Sequence, residues 1–179
     1  MRRTPCSWAL VLTFALFTVA CTAQFDGATQ PSSGLTGRSG ASTTDGTSAS
    51  PAEAALAAYN GMWNAMADAA QTSDHQSPAL ERYASGEALA KIIQSLYLDR
   101  QRGLVTKGRP VLHPTVASVT AAEVRIEDCG DSTDWLKYTM SGQPQNDRPG
   151  GRQKISANVT LAGGEWRVTD FVVMGVGSC

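Results

Sequence analysis

The side chains of this 179-residue chain that could do chemistry are few and scattered. His75 lies in a polar stretch and His113 precedes a proline, so the two histidines are too few and too dispersed for a zinc set with its closely paired ligands. The stretch "EDCGDSTDW" gathers Glu127, Asp128, Asp131 and Asp134, oxygen donors of the type a hard cation such as calcium accepts. It lacks the spacing of a calcium loop and reads as a solvated acidic turn, so no metal is expected. No Cys-x-x-Cys element is present to lower a thiol pKa, and no cofactor is expected. Trp63, Trp135 and Trp166 fall among apolar neighbours and are expected to pack a core, with a small apolar ligand between them left open. "NVT" at Asn158 fits a glycosylation pattern but falls in the middle of an expected strand. That leaves four cysteines, Cys6, Cys21, Cys129 and Cys179, which bear on location and cross-linking more than on a reaction.

The first twenty residues read as a signal peptide. Arg2 and Arg3 precede "WALVLTFALFTVA", an uncharged run of thirteen residues that is short for a membrane span, and Cys21 follows. The end of the run, "TVAC", resembles the lipobox of bacterial lipoproteins, which implies that Cys21 is lipidated and becomes the first mature residue. Cleavage after "CTA", releasing a soluble secreted protein, is the alternative. Without the leader the formal charge is about −3, which excludes the basic face that a nucleic-acid binder needs. From Thr22 to Ser50, 17 of 29 residues are Ser, Thr or Gly and only Phe25 and Leu35 are large and apolar. Such a stretch buries too little surface to offset its conformational entropy. It is expected to be a flexible tether with a reach of roughly 30 Å, long enough to hold a lipid-anchored domain clear of the headgroups.

With Cys6 in the leader and Cys21 at the lipid, Cys129 and Cys179 remain, and in an exported protein two such cysteines are expected to pair.

The elements that position these residues are expected within 51–179. "SPAE" makes a capping box with Ser50 at the N-cap, and Leu56, Tyr59, Trp63, Met66 and Ala70 form one helical stripe fading near Thr72. Ser77 and Pro78 repeat the cap pattern for a short helix through Tyr83. Leu89, Ile92, Ile93, Leu96 and Tyr97 form a third stripe, with Glu87, Lys91, Asp99 and Arg100 off it and Gly103 as its stop. Beyond Gly103 the pattern alternates. "VLHPTVASVT" reads as an edge or interrupted strand, "EVRIEDC" and "DWLKYTM" as strands, and "RQKISANVTL" with "EWRVTDFVVM" as a hairpin turned by "AGG". Helices followed by an antiparallel sheet predict an α+β domain with the helices packed on a single curved sheet.

In "NVTLAGGEWRV" and this element order the chain resembles the nuclear transport factor 2-like superfamily. More narrowly it resembles actinobacterial lipoproteins that carry such a domain behind a lipobox and a Ser/Thr-rich tether. "ALAAYNGMWNAM", "ALERYASGEAL", "VLHP", "EDCGDSTDWLKY", "PGGR", "GEWRVTDFVV" and the terminal "GSC" carry the likeness across most of 52–179. The resemblance implies a cone-like α+β fold and an extracytoplasmic location. Enzymes of that fold place an aspartate, or an Asp/His pair, inside the cone opposite aromatic hydroxyls. Asp170 on the last strand with Tyr59 on the first helix is the one pairing that meets this description, and Trp63 joins them as a candidate pocket residue. Neither Asp170 nor Tyr59 falls in a motif matching those enzymes, so no catalytic residue is assigned. The expectation is a membrane-anchored lipoprotein that binds an envelope protein, an envelope polymer or a small apolar ligand without catalysis. A small secreted isomerase or cyclase-like enzyme and an assembly subunit of an envelope complex are the alternatives.

Overall fold

A helix that begins in water must satisfy its first amides, and Ser50 does so for α1 (Pro51–Ala70) in the computed structural model. The Ser50 hydroxyl accepts from the Glu53 amide at 3.3 Å, and the Ser50 amide donates to the Glu53 carboxylate at 2.8 Å. Residues 49–145 and 150–179 are described, all within one compact unit, Asp45–Cys179. The leader, Cys21 and nearly all of the tether lie outside the described residues.

Six of the nine buried residues of α1 are alanines, which let its backbone approach its neighbours closely. α2 (Pro78–Tyr83) packs on α1 where Gly61 leaves room for the Tyr83 ring; a Cβ there would sit 2.5 Å from ring carbons. Ser77 occupies the N-cap of α2 without the side-chain hydrogen bond that the cap pattern implies. α3 (Gly86–Gln101) buries Ile92 and Leu96 as expected, and Gly103, at φ +66°, follows its end. Two expectations for α3 are corrected. Asp99, read as lying off the apolar stripe, is buried, because Lys137 reaches it; Tyr97 is 46% exposed, with the His75 ring edge-on to it at 5.3 Å.

Six strands follow: β1 (Leu104–Lys107), β2 (Thr115–Val119), β3 (Glu123–Asp131), β4 (Leu136–Thr139), β5 (Arg152–Ala162) and β6 (Glu165–Val173). The class is α+β, but the strands make two antiparallel sheets where a single one was expected. Four strands run in the order β2-β3-β5-β6, and β1 pairs with β4 apart from them. β1 was not anticipated: its first three residues are all buried, so it has no alternation to read. The acidic turn is also corrected, since Glu127, Asp128 and Asp131 lie within β3, whose burial alternates so that Val124, Ile126 and Asp128 face inward. Gly163 and Gly164, at φ +64° and +84°, close the β5–β6 hairpin in the left-handed conformation that two-residue hairpin turns require. A bulge between Asn158 and Val159 interrupts the register of β5 with β6, and another interrupts β2 against β3; bulges bend and twist the strands that carry them.

α1 covers the inner face of the larger sheet, burying Val124, Ile126, Ile155, Ala157, Val159 and Val168. α3 runs beside β6, and the Ser85 amide at its start donates to the Val168 carbonyl at 2.9 Å. After β6 the chain runs on alongside β5, still antiparallel to it. The Met174 amide donates to the Lys154 carbonyl, the Gly177 amide to the Arg152 carbonyl, and the Lys154 amide to the Ser178 hydroxyl. The tail ends in a disulfide between Cys179 and Cys129 of β3, with Cα atoms 5.9 Å apart.

Candidate functional site

Three adjoining cavities open between α1, α3 and the strands, and Met66 on α1 lines all three. The lobe between α3 and the end of β6 measures about 380 Å³ and is walled by Ile92, Phe171, Val172 and Val173. A second lobe of about 240 Å³ lies among Trp63, Trp135, Ile155 and Phe171. The third, about 180 Å³, is bounded by Leu96, Asp99, Thr106, Trp135 and Lys137.

Helical spacing on α1 puts Trp63 and Met66 toward these lobes, and alternation on β6 puts Phe171 and Val173 opposite the buried Ala157 and Ile155. Trp63 meets Trp135 at 5.9 Å and Phe171 at 5.6 Å between ring centroids, both edge-on, the arrangement the ring quadrupoles favour. The indole N–H of Trp135 is buried without a partner among the described residues.

Charged groups at the lobes are paired. Lys91 bonds Asp170 at 2.7 Å, Glu87 at 2.9 Å and the Phe171 carbonyl at 3.1 Å. Its partners hold the ammonium pKa above its ordinary value, the hydrogen bond it donates to Asp170 foremost. Lys137 bonds both oxygens of Asp99, at 2.5 and 2.8 Å.

The structure does not bring Asp170 to Tyr59. Asp170 sits beside the bulge and points to Lys91, whereas Tyr59, fully buried, donates to Asp128 Oδ2 at 2.9 Å. The other Asp128 oxygen accepts from the His113 amide at 2.8 Å. Burial, and then the charge of Asp128, push the Tyr59 hydroxyl pKa far up; the Trp63 indole N–H lies near it, short of a hydrogen bond, and acts the other way. Tyr59 and Asp128 line none of the three lobes. Of the candidate pocket residues, Trp63 lines a lobe, Asp170 braces the lysine at a rim, and Tyr59 stands behind the wall.

Sequence reasoning missed Asp128 as the partner of Tyr59, although its alternation in phase with Val124 and Ile126 is the signal that marks it as inward. It missed the Asp99–Lys137 pair, for which no local signal exists. The remaining acidic side chains of "EDCGDSTDW" diverge. Glu127 takes Ser156 and Lys154, which lower its pKa with Ser156 first, and Asp131 takes Thr133, which lowers its own. Among the described residues no three His, Cys, Asp or Glu side chains converge as a metal-ligand set.

No protein-family model matches the chain. No curated protein matches it either. Among solved structures it is similar to the intermembrane space region of the chloroplast protein ARC6, with 17% identity, a TM-score of 0.49, and coverage of 72% of this chain and 99% of that one. It is also similar to a protein designated a scytalone dehydratase from Novosphingobium aromaticivorans, with 10% identity, a TM-score of 0.37, and coverage of 69% and 93% respectively. No helix among the described residues is long and apolar enough to cross a membrane.

Proposed function

We propose that the chain is an extracytoplasmic lipoprotein, held at the membrane through Cys21, whose folded unit binds a small apolar ligand without catalysis. The observation that carries the binding reading is the groove around Met66, with an aromatic wall of Trp63, Trp135 and Phe171. Binding sites for small molecules are concave, mainly apolar, and carry a few polar groups, and this groove has that make-up.

The isomerase or cyclase reading needs a carboxylate free to take a proton from a bound substrate. Each candidate is engaged elsewhere: Asp170 by Lys91, Asp99 by Lys137, and Asp128 by Tyr59 and the His113 amide. The leader, the lipobox-like "TVAC" and the tether composition support the anchor.

Titration with the apolar fluorophore 1-N-phenylnaphthylamine tests the binding. Saturable enhancement is expected, and it should weaken in Val173→Glu, a partly exposed wall position where a charge is tolerated by the fold. A linear, non-saturating response would sink the reading. Metabolic labelling with a clickable fatty acid, lost in Cys21→Ala, tests the anchor independently.

A further inference from the structure

We propose that the smallest lobe receives the hydroxyl of a neutral alcohol or phenol whose apolar body extends past Met66 and Trp135 into the aromatic lobe. The inference rests on the ligand-binding reading above and deepens it by naming the ligand class.

The two lobes share Met66 and Trp135 but differ in chemistry. The larger one adds the neutral Ser132 and Gln153 to its rings and aliphatic side chains, whereas the smaller one sets Ser95, Thr106 and the charged Asp99 and Lys137 against Leu96 and Ala70. Asp99 is 4% exposed and Thr106 6%, so these polar groups belong to the interior wall and are not a solvated rim. Lys137, with 43% of its side chain exposed, reaches in from the surface to the buried Asp99, so the pair forms the charged part of the lobe's wall.

The pair selects for a neutral guest. Asp99 already has its matching cation, with Lys137 on both oxygens, so a second cation would have to displace the first. An anion would have to lie against the Asp99 carboxylate, which is itself 4% exposed, and be repelled by it. A hydroxyl meets neither obstacle. A carboxylate offers about four lone-pair sites and Lys137 uses two, so a guest hydroxyl can donate to a remaining one. The same guest oxygen can accept from the Thr106 or Ser95 hydroxyl. Orientation then follows, with the hydroxyl at α3 and β1 and the apolar body toward Trp63 and Phe171.

The test compares 4-butylphenol with butylbenzene, read by the fluorescence of the lobe tryptophans in the full chain. The ratio of their affinities should favour the phenol by about tenfold, the discrimination expected when a buried polar wall would otherwise lose its partner. In Thr106→Val and in Asp99→Asn the ratio should fall several-fold. Thr106→Val keeps the side-chain volume and leaves the ion pair intact, so it carries the test if Asp99→Asn fails to fold. Binding of both compounds with a ratio near one, or a ratio that neither variant alters, overturns the proposal and leaves the groove reading standing. If neither compound binds, the groove reading falls and this proposal with it.

Discussion

The Tyr59 hydroxyl and the Asp128 carboxylate are each other's main means of being buried. Tyr59→Phe removes the donor to Oδ2 and keeps the ring, leaving a carboxylate oxygen unpaired in a side chain that is 5% exposed. The expected cost is about 1–3 kcal/mol, read as a lower denaturant midpoint at an unchanged m value. The same pair contributes to the loss of stability at alkaline pH. Because burial and the Asp128 charge raise the Tyr59 pKa above its ordinary value of 10.0, the folded chain keeps a proton that the unfolded chain gives up. Stability from this group is therefore complete below about pH 10 and declines as pH rises beyond it. Urea melts from neutral to alkaline pH should show the decline in the unmodified chain and a shallower one in Tyr59→Phe. The burial of both residues was legible in their periodicity. Their partnership was not, because 69 residues separate them in sequence and the pairing considered for Tyr59 was with Asp170. Asp170, the residue chosen, lies beside a strand bulge, where a one-residue register change decides what a side chain faces.

Between elements, the contact of α1 with α2 turns on a glycine that helix propensity disfavours. Gly61→Ala gains about 1 kcal/mol of intrinsic helix preference. It also forces a methyl to 2.5 Å from the Tyr83 ring, and overpacking of that kind costs about 1–3 kcal/mol. The single substitution is expected to destabilise the fold. In a Tyr83→Ala background the obstruction is gone, so the same change should be neutral or stabilising, and a double-mutant cycle of thermal melts reads the reversal of sign. Elements carrying their own local signals were legible: the capping box of α1, Ile92 and Leu96 of the α3 stripe and the Gly163–Gly164 hairpin stand where the pattern places them. β1 was not, since four residues without alternation carry no period. With β1 unseen, the partner of β4 and the separation of the second sheet were out of reach, and so was the burial of Asp99 by a lysine on β4.

Over the whole molecule, the Cys129–Cys179 bond closes a separation of 50 residues and ties the end of the chain to an inner strand. In the chain-entropy model a loop of that size is worth about 4 kcal/mol. Reduction, or Cys179→Ser, should lower the melting temperature by a corresponding amount, and an unchanged melt with both thiols shown to be free would contradict it. Without the bond the tail keeps only the Met174, Gly177 and Ser178 hydrogen bonds to β5, so it should loosen first while the β5–β6 hairpin still holds. The bond also makes a covalent ring of everything from Cys129 onward, with β4, β5 and β6 strung along it. The turn after β4 is one exposed point of it, with Met140 62% exposed. A single protease cut there opens the ring without dividing the molecule. The nicked protein should run as one species on a non-reducing gel and fall into two pieces only with reductant, so damage at that turn would go unnoticed wherever the surroundings stay oxidising.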